Sequence, residues 1–137
     1  MRKALILLVA CISFLSCGKV EGVVPNVPVS FTIAKTDPRI AALNSQGGAV
    51  LVTGVGVAGV IIYRRSDGAY VAYDRCSTYQ PEKKCAVILD DNPFTVTDPC
   101  SGAKFLLSDG SPAKAPATKS LKVYTVNETP FQINVYN

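Results

Sequence analysis

The side chains best able to do chemistry in this sequence are three cysteines within one stretch, residues 70–105. Cys76, Cys85 and Cys100 stand at two polar loops that are separated by short apolar runs, and Asp98 lies two residues before Cys100. Cysteines in neighbouring loops hold either a metal or a disulfide. The chain has no His, so the commonest metal ligand and the usual general base are both missing. Any metal or redox chemistry would therefore depend on sulfur and carboxylate groups.

The N-terminus has the pattern of an exported, lipid-anchored protein. Arg2 and Lys3 precede an apolar run of about a dozen residues, which is the length of a signal-peptide core and too short for a spanning helix. The run ends at Phe14-Leu15-Ser16-Cys17, which resembles the bacterial lipobox. We expect a signal peptide over residues 1–16, lipidation of Cys17, and a place in the envelope of a Gram-negative bacterium, at the outer membrane. The alternative is an ordinary secretory signal with an incidental cysteine.

Cleavage before Cys17 would change both the charge and the number of thiols. The 14 basic residues fall to 12 against 10 acidic ones, and a net charge of +2 is too small to indicate a nucleic-acid partner. Cys11 leaves with the signal and Cys17 carries lipid, so three cysteines remain. Because the envelope is oxidising, one pair is expected to form a disulfide and one thiol to be left over.

Short strands and turns are expected to position the cysteine loops. Residues 17–28 contain the lipidated cysteine and a proline-containing tether, and residues 29–137 form one β domain. The segment 27–34 alternates and is rich in β-branched residues, which predicts a first strand. Asp37 as a cap followed by Pro38 predicts one short helix near residues 38–44.

Hairpins account for most of the remaining chain. Asp67-Gly68, between two apolar runs, is a strong hairpin signal. The strand that follows leads into the first loop, Ser77 to Lys84, and a second hairpin carries the loop 98–102. The last two apolar runs, 121–126 and 131–136, predict a closing hairpin. The sequence therefore predicts an all-β domain whose two loops lie side by side at one end.

A glycine pattern upstream matches the dinucleotide-binding fingerprint literally. Gly54, Gly56 and Gly59 have the spacing G-x-G-x-x-G. That motif needs a helix after its third glycine to receive the pyrophosphate, whereas Val60 to Tyr63 have strong strand preference. We therefore expect a bend between strands and no bound nucleotide.

The stretch from Gly59 to Val126 resembles a Rieske domain, the β-fold that carries a [2Fe–2S] cluster. Rieske proteins present a first box, Cys-x-His-x-Gly-Cys, and a second, Cys-Pro-x-His-Gly-Ser. Cys76-Ser77-Thr78 and Cys85 fall on the first box, and Asp98 to Ala103 fall on the second. The resemblance implies an antiparallel fold of β-sandwich or barrel-like sheets.

The same resemblance implies that the cluster is lost. Of the four positions that bind the iron atoms in the family, only Cys76 keeps its ligand, and Thr78, Asp98 and Ser101 stand at the other three. Many Rieske domains join their two loops by a disulfide, and its positions map to Cys85 and Cys100. The rival pairings join Cys76 to one or other of these two residues. Closing a loop of about 15 residues constrains the unfolded chain by about 3 kcal/mol.

Two functions follow as hypotheses. In the first, the protein has no catalytic residues and no cofactor, and it is a binding or assembly module that meets an envelope protein or a glycan. In the second, it is a redox or metal protein, with zinc or a [2Fe–2S]-type centre held by Cys76, Cys85, Cys100 and Asp98. A basic surface near the loops would suit anionic glycan or lipid head groups, although solvated charge is the default interpretation. Its candidate members are Arg64, Arg65, Arg75, Lys83 and Lys84.

Overall fold

The computed structural model describes residues 22–137, so the predicted signal peptide and Cys17 lie outside the described residues. The described residues form ten strands and two short 3-10 helices, Pro38–Asn44 and Pro81–Lys83. The strands are β1 (Ser30–Ala34), β2 (Ala49–Val52), β3 (Val60–Arg64), β4 (Tyr70–Asp74), β5 (Ile88–Leu89), β6 (Thr95–Thr97), β7 (Lys104–Leu106), β8 (Pro112–Lys114), β9 (Val123–Glu128) and β10 (Gln132–Tyr136).

The strands make two separate antiparallel sheets. The larger sheet has the order β1-β10-β9-β4-β3-β2, and the smaller has the order β5-β6-β7-β8. In β3, Val60 and Ile62 pack in one hydrophobic cluster, and Ile61 and Tyr63 pack in another. Both faces of β3 are therefore covered, which explains its uninterrupted apolar sequence. The prediction of an all-β, sandwich-like antiparallel fold is confirmed.

The second hydrophobic cluster joins the smaller sheet to the larger one. Val96 of β6 and Phe105 of β7 are cross-strand partners, and neither is exposed. They pack in the same cluster as Ile61 and Tyr73 of the larger sheet. This contact holds the smaller sheet, and the loops at its end, in a fixed place on the larger sheet.

The predicted helix is present as a 3-10 helix over Pro38–Asn44. Asp37 caps it, because its side chain accepts a hydrogen bond from the Arg39 N–H, and Ile40 and Leu43 are buried. The second 3-10 helix, Pro81–Lys83, lies in the first cysteine loop, where no helix was predicted.

The glycine pattern forms the bend between β2 and β3. Gly54, Gly56 and Gly59 all have positive φ, at 79°, 71° and 99°. Such values favour glycine, and a methyl group at Gly56 would lie only 2.6 Å from the Asp74 carboxylate. The strand β3 begins immediately after Gly59, as the sequence predicted.

The residues that precede β1 pack on the domain. Val24 is buried, and Lys122 Nζ donates to the Pro25 carbonyl at 2.9 Å and to Asn26 Oδ1 at 3.0 Å. The C-terminal residue Asn137 also donates to Asn26 Oδ1. The described part of the predicted tether is thus held against β9 and the C-terminus.

Within residues 22–137, no helix has the length and apolar character needed to cross a membrane.

Candidate functional site

A disulfide joins the two loops that the sequence singled out. Cys85 and Cys100 are bonded, with their Cα atoms 6.3 Å apart and 15 positions apart in sequence. Cys85 ends the first loop, and Cys100 lies in the turn between β6 and β7. The pairing expected from the family resemblance is confirmed, and Cys76 is the free cysteine of the described residues.

Backbone hydrogen bonds tie the first loop to the strand that leads into it. Cys76 and Ala86 form an isolated antiparallel bridge, and the Ser77 N–H donates to the Cys85 carbonyl at 2.8 Å. Between these ends, Gln80 and Lys84 have φ values of 53° and 50°, which side chains other than glycine seldom adopt. Each such residue costs about 1–2 kcal/mol, so the closed base of the loop must support its shape.

Cys76 is fully buried at the start of this loop. Its thiol lies 3.7 Å from the Ser77 carbonyl and 3.6 Å from the Pro81 carbonyl, to which it donates. Burial, and secondarily the negative charge of Asp74, raises the pKa of the Cys76 thiol to about 11. The thiol is therefore protonated near neutral pH, and in that form it is neither a nucleophile nor a metal ligand.

Thr78 holds the first loop against a distant part of the chain. Its hydroxyl donates to the Lys119 carbonyl at 2.7 Å, and only 8% of the residue is exposed. At the position where the family places its first imidazole, this chain has a structural hydrogen bond.

Asp98 and Ser101 bond to each other and shape the second loop. The buried Asp98 carboxylate accepts from the Cys100 N–H at 2.8 Å and from Ser101 Oγ at 2.6 Å. The Gly102 N–H donates to the Asp98 carbonyl at 2.8 Å. Asp98 therefore stabilises the turn that presents Cys100 to Cys85.

Comparisons place this architecture among known folds. No protein-family model and no curated protein matches the sequence. The cyanobacterial plasma membrane Rieske protein PetC3 from Synechocystis PCC 6803 matches with a TM-score of 0.53 at 22% identity, over 80% of this chain and 98% of that chain. A chain of the complex of reduced oxygenase and oxidized ferredoxin in carbazole 1,9a-dioxygenase matches with a TM-score of 0.51 at 24% identity, over 71% of this chain and 98% of that one.

The domain has a Rieske-type fold. A Rieske [2Fe–2S] centre is held by two Cys and two His, and the residues of this chain do not fit it. No imidazole exists in the sequence, and the side chains at three ligand positions are engaged in the hydrogen bonds just described. The fourth, Cys76, keeps the residue type of the family, and its thiol is fully buried. The Rieske-type scaffold is thus present without the ligand set of its cluster.

Among the described residues, three side chains lie close enough together to bind a metal ion. The ligand atoms of Cys85, Asp98 and Cys100 all lie within 4.8 Å of one another. These are three of the four residues predicted as zinc ligands, and Cys76 is not part of the group. Both sulfurs are bonded to each other in the disulfide, so a metal could use them only after reduction.

A buried carboxylate that the sequence did not single out holds the start of the first loop. Asp74, at the end of β4, is fully buried and accepts hydrogen bonds from four donors. Two are backbone N–H groups of the glycine bend, at Val57 and Ala58, and a third is the Cys76 N–H at 2.7 Å. The fourth is Tyr124 Oη in β9. Asp74 therefore fixes the glycine bend, β9 and the first loop relative to one another.

A cavity of about 440 Å³ lies beside Thr78 and is lined in part by the first loop. It mixes polar and apolar groups from the first loop, from the segment before β9 and from the first described residue. Its lining includes Gly22, Thr78, Tyr79, Glu82, Thr118 and Lys119.

Proposed function

We propose that this chain is a membrane-anchored lipoprotein whose Rieske-type domain is a non-catalytic binding or assembly module of the cell envelope. The observation that carries the proposal is the state of the two loops. Cys85 and Cys100 are committed to a disulfide, and Thr78, Asp98 and Ser101 hydrogen bond within the protein. The groups that would hold a cluster in this fold serve instead to keep the loops in shape.

The membrane anchor is supported by the sequence before the domain. An apolar run of signal-peptide length ends at Cys17, and the net charge after cleavage is small. The disulfide also supports an envelope location, because disulfides form and persist in oxidising compartments.

The partner we propose is an envelope protein or a glycan that meets the remodelled loops. The second loop carries exposed residues at the disulfide, Pro99 and Cys100. Because the disulfide and the buried carboxylates fix these loops, little conformational freedom is lost on binding.

The proposal is tested on protein purified from cells without reconstitution. We expect Cys17 to carry acyl chains by mass spectrometry, and we expect no visible absorption bands and no stoichiometric iron or zinc. A metal content near one equivalent would refute the non-catalytic function as stated. An unmodified Cys17 on the mature chain would refute the anchor.

A second candidate, a redox or metal protein, is favoured by the grouping of Cys85, Asp98 and Cys100 within 4.8 Å. Two thiolates and one carboxylate are suitable ligands for zinc after reduction of the disulfide. Zinc titration of the reduced and the oxidised protein tests it. This candidate expects tight binding that appears only on reduction and weakens in the Asp98→Asn variant, and absence of binding in both states would exclude it.

A further inference from the structure

We infer that the end of the domain that carries Gly22 and the first cysteine loop lies against the bilayer, with Lys83 and Lys84 at anionic lipid head groups. The inference rests on the proposed lipid anchor at Cys17.

The chain enters the domain beside the first loop. Gly22 lies beside the first loop and the segment before β9, because it lines the cavity together with Thr78 and Tyr79. A methyl group at Gly22 would lie 3.1 Å from Lys119 Nζ. Two residues later Val24 is buried, so the entry point is fixed on the domain surface.

The chain between Cys17 and Gly22 is short. Five peptide units separate Cys17 from Gly22, and fully extended they span at most about 18 Å. Acyl chains on Cys17 would hold its backbone at the level of the head groups. Gly22 would then stay within about 18 Å of the membrane surface.

From the entry point the chain runs toward the opposite end of the domain. From Gly22 the chain runs past Lys122 and along β1 to Lys35, whose N–H donates to the Phe131 carbonyl at 2.8 Å. Lys35 Nζ also lies 5.4 Å from the ring centre of Tyr70. The β9–β10 turn and the β3–β4 hairpin therefore share the far end, separated from the entry point by the length of β9, about 17 Å.

Exposed lysines lie in the first loop, at the end of the domain where the chain enters. Lys83 and Lys84 are exposed in the first loop, directly after Glu82, which lines the same cavity as Gly22. They form no ion pair with any residue in 22–137. Arg64 and Arg65 lie at the far end, so the basic surface considered from sequence divides in two. Charges within a Debye length of the surface, about 8 Å at physiological salt, are attracted by anionic lipid.

The test measures lysine acylation in the full lipidated protein reconstituted in vesicles of phosphatidylcholine and phosphatidylglycerol. The reagent is a water-soluble, singly negative succinimidyl ester, and each site is read by tandem mass spectrometry. The matched control is the same chain exported through another signal with Cys17→Ser, which carries no lipid. Lys35 at the far end is the internal reference.

We expect Lys83 and Lys84 to react about threefold or more slowly in the vesicle-bound protein, since a surface potential of about −30 mV excludes a negative reagent by that factor. Lys35 should react at the same rate in both proteins. Equal slowing at all three sites, or slowing at Lys35 alone, would overturn the orientation. Slowing that appears in whole envelopes but not in these vesicles would indicate a protein partner and would also overturn it.

The lipid on Cys17 is measured in the same spectra, which separates the two proposals. A lipidated protein with fully reactive Lys83 and Lys84 refutes the orientation and leaves the anchor intact. A chain without lipid refutes the anchor, and the orientation with it.

Discussion

Tyr124 Oη donates a 2.6 Å hydrogen bond to Asp74 Oδ2, and it joins two strands whose partner residues lie 50 positions apart in the chain. Tyr124 is 3% exposed and Asp74 is not exposed. Burial, together with the hydrogen bond to Asp74, raises the pKa of the Tyr124 hydroxyl far above its usual value. The Tyr124 hydroxyl is one of four donors to the buried Asp74 carboxylate, so loss of this hydrogen bond should destabilise the fold.

Replacing Tyr124 by Phe should lower the free energy of unfolding by about 1.5–3 kcal/mol, the range for a hydrogen bond to a charged group. Urea denaturation at pH 7 measures it. Tyr136→Phe is the matched control, because Tyr136 is 40% exposed. Equal destabilisation by the two substitutions would show that the Tyr124 hydroxyl has no special role.

The Cys76 thiol should make the protein less stable in mild alkali. Its pKa is raised from 9.0 to about 11 by burial, so the unfolded chain releases this proton at a lower pH than the folded one. The stabilisation is complete below about pH 9 and is lost as the pH rises toward 11, with a slope of up to about 1.4 kcal/mol per pH unit. The free energy of unfolding of the wild-type protein and of Cys76→Ala, measured between pH 8 and 10, checks this.

The two curves should converge as the pH rises, because the variant lacks the titrating thiol. The difference between the two free energies of unfolding at pH 8 reflects the packing lost with the Cys76 side chain. Only the change of this difference with pH tests the prediction. Parallel curves would contradict it.

The disulfide should contribute about 3 kcal/mol, as expected for a closed loop of 15 residues. The double variant Cys85→Ala, Cys100→Ala should unfold at a correspondingly lower urea concentration. It should also exchange the Ser77 amide hydrogen faster, because that N–H donates to the Cys85 carbonyl. The single variant Cys76→Ala serves as control, since it leaves the bond in place. Unchanged stability in the double variant would mean that the bond only joins loops already fixed by hydrogen bonds.

Protonation of Asp90 should lower the free energy of unfolding between about pH 4 and pH 2. Burial opposes the shift, but hydrogen bonds from Lys104, Thr95 and Thr97 lower the pKa of the Asp90 carboxyl to about 2. The stabilisation is present above about pH 4, the usual range of an Asp, and is lost as the pH falls toward 2. Asp90→Asn should remove this part of the acid dependence, measured by urea midpoints from pH 5 to 2.

The neighbouring Asp91→Asn is the control for that measurement, because Asp91 is exposed in the same turn. If both variants lose the same acid dependence, the hydrogen bonds to Asp90 are not its cause.

Much of the fold could be predicted because its signals are local. Asp67-Gly68 marked the β3–β4 hairpin, and Asp37 before Pro38 marked the helix start. The Cys85–Cys100 pairing needed the family resemblance, since spacing alone allowed three pairings. The role of Thr78 could not be predicted, because its partner is the Lys119 carbonyl, 41 residues away. Asp74 was missed for the same reason: its donors come from three separate elements.

The disulfide encloses the whole of β5 and β6, together with the exposed turn that contains Pro93 and Phe94. A protease that cuts this turn would therefore leave two fragments that remain covalently joined. Each fragment would keep its strand in the small sheet, since β6 pairs with β7 and β5 remains attached through Cys85. Such a nick would be silent in a non-reducing gel and visible only after reduction. The exposed turn between β5 and β6 is thus a place where the covalent structure tolerates cleavage.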